Sequence, residues 1–159
     1  MIRRETEATL INRIANHPSV LPYFDLGKTG ALDFSECLER PAEYAVVSNG
    51  KDALGIFEWS APGVWQGHTM FLPSCRGRRA VQEGRAICEW ALDNLGGMLW
   101  GQTPLLLRHV RWFNRQIGFE RAGIGFHHVS GEVEFFVMRK SNGRTSCCSN
   151  RAPSSWEPA

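Results

Sequence analysis

Phe71-Leu72-Pro73-Ser74-Cys75-Arg76-Gly77-Arg78-Arg79-Ala80 is the stretch on which the fold turns. An apolar run ends at a proline, a short basic loop follows, and a helical period begins. Downstream, from Gly77 to Asn94, the residues Ala80, Gly84, Ile87, Cys88 and Ala91, and then Leu95, recur at helical spacing, the mark of an amphipathic helix. Gly96-Gly97 supplies its C-terminal stop. Upstream, Val64 to Leu72 reads as a strand. A strand, a tight loop and a helix start expose free backbone N–H groups at the positive end of the helix dipole, which suits an anion such as phosphate. Arg76, Arg78 and Arg79 are unfavourable there for an isolated helix and make sense with an anion between them and the amides. The competing reading is a solvated basic helix start.

Working outward, two further strands precede Val64. Tyr44 to Val47 ends at the turn Ser48-Asn49-Gly50-Lys51, and Ala53 to Ser60 ends at Ala61-Pro62-Gly63. Glycine supplies positive φ in such turns, so the three strands are expected as an antiparallel meander. After the long helix come a short strand from Met98 to Gly101, a connection through Pro104, and a helix from Leu106 to Ile117 ended by Gly118. Gly125 to Val129 and Val133 to Lys140 read as two closing strands. Near the N-terminus, residues 5–16 read as a helix with Leu10, Ile11 and Ile14 on one face. Asp33 and Glu36 have the spacing of a capping box that opens a second short helix. The expectation is one α/β domain over residues 1–140. Residues 141–159 lack any period and read as a flexible polar tail.

The bulk numbers agree with one domain. There are 159 residues, 43% hydrophobic and 21% charged, with a net charge of +2. No run of 18 apolar residues occurs and the first residues lack a secretory h-region, so the expected location is cytoplasmic. Cys37, Cys75, Cys88, Cys147 and Cys148 form neither a C-x-x-C pair nor a zinc-spaced cluster, and no metal is expected. The charge distribution is more telling than its sum. Between residues 76 and 121 lie Arg76, Arg78, Arg79, Arg85, Arg108, Arg111, Arg115 and Arg121, opposed only by Glu83, Glu89, Asp93 and Glu120. Arginine's planar fork suits phosphate.

Several blocks together resemble the GNAT N-acetyltransferase superfamily, and specifically its small phage-encoded branch. They are His68-Thr69-Met70-Phe71-Leu72-Pro73 with Arg76-Gly77-Arg78-Arg79-Ala80, then Gly101-Gln102-Thr103-Pro104, then Trp112-Phe113-Asn114-Arg115-Gln116-Ile117-Gly118-Phe119. Ile14-Ala15-Asn16-His17-Pro18-Ser19-Val20 is similar to the phage branch. The resemblance implies a mixed, mostly antiparallel sheet flanked by helices, in which one parallel strand pair splays apart. It further implies that acetyl-CoA enters the gap, bonds the strand backbone around Phe71 and Leu72, and sets its pyrophosphate on Arg76, Gly77, Arg78, Arg79 and Ala80. Four positions differ from the usual family pattern: Arg79 stands where glycine is common, Val81 where glycine or alanine is common, Asn114 where a proton-donating tyrosine is common, and Leu107 where asparagine is common.

Acetyl transfer to an amine needs a base, since a lysine-like ammonium has a pKa of about 10.4. Glu58 and His68, each on an expected strand, are the candidates, and Asn114 is a candidate hydrogen-bond donor near the thioester. Alternation puts Glu58 on the face of Ile56 and Ser60, and His68 with Met70 and Leu72. Both also have a purely structural reading, as a cross-strand partner and a half-buried core histidine. Cys75 beside the arginines is a site where a thiol pKa can be lowered. Trp112 on the last helix is a candidate wall of the acyl or acceptor cleft. The expected function is an acetyl-CoA-dependent N-acetyltransferase of unknown amine acceptor. The alternatives are a non-catalytic GNAT-fold phage protein with virion partners and, through the arginines, a nucleic-acid binder. An exposed sheet edge is a candidate homodimer contact.

Overall fold

The computed structural model describes residues 1–23 and 31–140. The expected tail at 141–159 lies outside these residues. Among the described residues, seven strands form one sheet: β1 (Arg3–Arg4), β2 (Tyr44–Ser48), β3 (Ala53–Ala61), β4 (Val64–Phe71), β5 (Met98–Pro104), β6 (Glu120–His127) and β7 (Gly131–Arg139). Their order across the sheet is β1-β2-β3-β4-β5-β7-β6. Four helices accompany them: α1 (Ala8–Ala15), α2 (Ser35–Glu39), α3 (Arg78–Asn94) and α4 (Arg108–Ile117). Every pairing is antiparallel except β4 with β5. The mixed, mostly antiparallel sheet flanked by helices is as expected.

The period-2 alternation of the meander divides the core in two. Phe57, Phe71, Ile87, Cys88, Ala91, Leu99 and Phe136 are buried together on the α3 side. Ile11, Ile14, Val46, Leu54, Ile56, Met70 and Leu72 are buried on the α1 side. Two glycines inside strands have a packing reason. A Cβ on Gly55 would lie 3.1 Å from the Phe57 ring and 2.4 Å from Ile87, and one on Gly67 would lie 3.2 Å from the same ring. Phe57 thus lies across two bare backbone positions, one on its own strand and one directly opposite on β4.

Several boundaries differ from the sequence reading. The first helix starts at Ala8 rather than residue 5, because Arg3 and Arg4 pair with Val47 and Ser48 as a short edge strand. The capping box does not form. Phe34 is the N-cap of α2, and Asp33 instead accepts hydrogen bonds from Ser35 and Asn12. The last helix starts at Arg108. β6 starts at Glu120 rather than residue 125, because it is an edge strand whose pairing with β7 is interrupted between Arg121 and Gly123, so apolar alternation is weak there. β5 runs on to Pro104. The Met98 N–H donates to Gly63 O; by alternation the Pro104 nitrogen faces the same, β4 side, where the ladder has already ended and needs no donor.

Gly96 sits where α3 meets the β3–β4 turn. A Cβ there would come within 2.6 Å of the Gly63 backbone. Gly96→Ala is expected to destabilise the fold by about 1–3 kcal/mol, since backbone rather than a side-chain tip must move. Urea unfolding checks this, and an unchanged midpoint would contradict the close approach.

Candidate active site

The parallel pair is short. Val64, Trp65 and Gln66 are in register with Met98, Leu99 and Trp100, and no pair follows. Beyond that point β4 and β5 diverge, as the resemblance implied. The gap opens into a cavity of about 380 Å³, within the range of roughly 300–1,000 Å³ typical of small-molecule sites. Its walls include Gly67 to Phe71 of β4, Gly101 to Pro104 of β5, Phe113, Asn114 and Ile117 of α4, and Ser19, Val20 and Tyr23 of the segment after α1. Arg76, Gly77 and Ala80 lie at one end.

Backbone direction along β4 decides which groups can face a ligand. The Leu72 N–H donates to the Asp52 carbonyl at 2.9 Å, on the β3 side. Leu72, expected as a cofactor-bonding position, is therefore unavailable through its N–H, and its side chain is buried in the α1-side core. Alternation turns the N–H groups of Phe71 and Thr69 the other way, into the gap.

At the start of α3, Gly77 holds φ 62° and no side chain caps the helix. The first-turn amides of Arg78, Arg79 and Ala80 have no intrahelical acceptor. Gly77 is open to space, with nothing within 4 Å of a built Cβ. The Arg79 side chain does not reach toward this nest. Its two terminal nitrogens donate to the two Asp52 carboxylate oxygens at 2.9 Å each, and one of them also to Ser74 O at 2.9 Å. The guanidinium anchors the loop to the β2–β3 turn and leaves the amide nest clear. Asp52 is 1% exposed. Burial alone pushes its carboxyl up, but hydrogen bonds from Asn49, Ser74 and Arg79 together hold it below the usual range. Arg76 donates to Ser19 Oγ at 3.3 Å, linking the loop to the segment after α1. Arg78 is exposed at the first helical position.

The candidate catalytic residues separate. His68 lines the cavity. Burial lowers its pKa from the ordinary 6.5, and the Glu58 carboxylate opposes that shift. Glu58 lies on the same sheet face, because Glu58 pairs with Gln66 and Ile56 with His68, yet it is not among the cavity walls. Its carboxylate accepts from the Tyr44 hydroxyl at 3.5 Å. The Glu58 carboxylate acts on His68 electrostatically. Asn114 lines the cavity, but its amide donates to the Thr103 hydroxyl at 3.0 Å.

That contact belongs to a larger tie. Thr103 and Glu134 are directly opposite on β5 and β7, 4% and 2% exposed. Glu134 accepts a hydrogen bond from Arg111 of α4 at 2.7 Å and forms an ion pair with Arg121 of β6 at 2.7 Å. The Arg111 bond, ahead of burial, sets its carboxyl below the ordinary range. Asn114 and Arg111 are one turn apart, so two polar ties hold α4 against the sheet. This matters because Ile117 is the one buried residue of α4. Cys75 is fully buried and its thiol is pushed up to about 11, chiefly by burial, so the lowered pKa considered beside the arginines does not arise.

Sequence reasoning missed Tyr23, Thr103 and His109. Tyr23 and His109 both line the cavity, and the Tyr23 hydroxyl lies 3.3 Å from His109 Nε2. A signal existed for His109, which sits three residues before Trp112 on a helix already expected. Tyr23 lay in an irregular stretch without a period.

Among the described residues no helix is long and apolar enough to cross a membrane, and no cluster of His, Cys, Asp and Glu could hold a metal ion. No protein-family model matches the chain, and no curated protein sequence does. Solved structures do match. AAC(6')-Ib, in complex with paromomycin and acetyl-CoA, superposes with a TM-score of 0.71 at 14% identity, covering 92% of this chain and 98% of its own. YncA of Salmonella typhimurium, solved with its cofactor acetyl-CoA, gives 0.64 at 16% identity over 93% and 98%. A GNAT-family acetyltransferase from Bacillus anthracis gives 0.63 at 11% identity over 87% and 93%. The splayed parallel pair, the helix start at its end and these superpositions together establish that the chain has the fold of the GNAT acetyltransferases.

Proposed function

We propose that this protein is an acetyl-CoA-dependent acetyltransferase acting on an amine. The observation that carries the proposal is the open gap between β4 and β5, with the uncapped α3 N-terminus at one end and His68 on its wall. A cleft filled by side chains would favour the non-catalytic alternative; a cavity of about 380 Å³ favours binding. The neighbours solved with acetyl-CoA support the same reading.

In this reading the amides of Arg78, Arg79 and Ala80 hold the pyrophosphate, with Arg76 and Arg78 adding charge. The N–H groups of Thr69 and Phe71 bond the pantetheine arm as an added strand would. His68, kept neutral by burial, takes a proton from the attacking amine. A C–N bond forms and the C–S bond breaks. The proton lost by the amine balances the one the departing thiolate needs, so the products are an N-acetylamine and the free thiol. Asn114 has no proton to give a thiolate, and its bond to Thr103 makes it a group that positions α4.

Isothermal calorimetry with acetyl-CoA is expected to show one binding site per chain. Absence of heat at millimolar ligand would remove the proposal. Arg78→Glu, at an exposed position, is expected to weaken the same binding by placing an anion at the helix start.

A further inference from the structure

A buried acid lies behind the start of α3, and its role there rests on the acetyl-CoA reading above. Asp52, in the turn between β2 and β3, holds the following loop through Leu72, Ser74 and Arg79. Its backbone carbonyl accepts from the Leu72 N–H at 2.9 Å. Its carboxylate accepts from the Ser74 hydroxyl at 2.7 Å and from both terminal nitrogens of Arg79 at 2.9 Å each. The Asn49 amide donates to the same carboxylate at 3.0 Å. Asn49 is itself fixed, because its side-chain oxygen accepts from the N–H groups of Lys51, Asp52 and Ala53. The Asp52 side chain is 1% exposed.

Cys75-Arg76-Gly77-Arg78 runs between the Ser74 and Arg79 ties. The Cys75 N–H donates back to Leu72 O at 2.8 Å, and Gly77 turns the chain at φ 62°. The direction of the first α3 amides therefore follows from where the loop is held on either side. A site made of backbone N–H groups has no side chain of its own to re-aim, so whatever fixes the backbone fixes the site. Charge works the other way. A carboxylate near an anion site repels the anion. Any benefit of Asp52 to anion binding must come through the backbone it holds.

We infer that Asp52 is a positioning residue for the pyrophosphate of acetyl-CoA: through Ser74 and Arg79 it sets the loop so that the first amides of α3 converge on one anion. Arg79 gives its backbone N–H to the ligand and its guanidinium to Asp52.

The test uses the whole chain, with acetyl-CoA as the probe. Asp52→Asn removes the negative charge with little change of shape. Charge alone predicts tighter binding. Positioning predicts a Kd raised by roughly 10–100-fold, the span common when groups that orient a site's ligands are lost. Arg79→Lys keeps the charge and loses the fork that reaches both carboxylate oxygens. Charge alone predicts an unchanged Kd there, and positioning again predicts a rise. Calorimetry on chains shown to be folded by circular dichroism measures both. Amide exchange at saturating acetyl-CoA separates positioning from general loosening. In the variants, protection by the ligand should be lost at Arg78, Arg79 and Ala80 and kept at Thr69 and Phe71. An unchanged or lower Kd in either folded variant, or protection lost equally at both places, would overturn the inference. If the unaltered chain binds acetyl-CoA and the variants bind it as well, the positioning role falls alone; if the unaltered chain does not bind it, the functional reading falls too.

Discussion

His68→Gln is expected to lower kcat by about 10²–10⁴-fold, the span usual for loss of a positioned general base. His68 lines the gap between β4 and β5, and burial lowers its pKa from 6.5. A base is active in its unprotonated form, so depression of the pKa extends activity toward acid. The acidic limb of kcat/KM should therefore fall below pH 6.5 and disappear in the variant. The Glu58 carboxylate favours the protonated imidazole, so Glu58→Gln should move that limb to lower pH while kcat at neutral pH changes little. Acetyl-CoA affinity is measured in parallel by calorimetry. A His68→Gln enzyme whose kcat and limb match the wild type would exclude the histidine as base and leave it the half-buried core residue that its strand position also permits.

Phe57→Ala is expected to cost about 3–5 kcal/mol. Phe57 is fully buried and is among the largest enclosed side chains. Its ring covers Gly55 and Gly67, positions with no side chain of their own to close over the space. For a chain of 159 residues each kcal/mol moves Tm by roughly 2–4 °C, giving a drop of roughly 6–20 °C. Thermal unfolding followed by circular dichroism measures it. A drop under about 3 °C would mean that neighbouring groups collapse into the space. The loss should also loosen the cavity wall, because Phe57 borders the gap on its closed side. A fall in acetyl-CoA affinity alongside the lower Tm would connect core packing to the site.

The long helix, the three-strand meander and the turn between β4 and α3 were legible because each depends on residues close in the chain. Ala80, Gly84, Ile87 and Ala91 define one face of α3 without reference to any partner, and Asn49-Gly50 and Gly63 define turns by their φ alone. The divergence of β4 from β5 was legible only through resemblance. Nothing in the local pattern of Gly67 to Phe71 states where pairing ceases, since register depends on both strands.

The role of Arg79 shows the limit most clearly. By composition it belonged to the phosphate loop, and in the structure it serves Asp52, 27 residues earlier in the chain. Ion-pair partners are chosen by distance in space, and an arginine takes whichever carboxylate the fold holds in reach of its fork. Asn114 was likewise visible as a departure from a family tyrosine, but its partner Thr103 was not. Tyr23 meets His109 only because the chain after α1 reaches the start of α4.

By itself the sequence determined the helices, the hairpins and the basic helix start, through periodicity and turn chemistry that act over a few residues. Only the tertiary structure decided which N–H groups of β4 face the gap, which arginine is free of an ion pair with Asp52, and which rings share a cavity. Those are relations between distant segments, set when burial of both sheet faces brings them together.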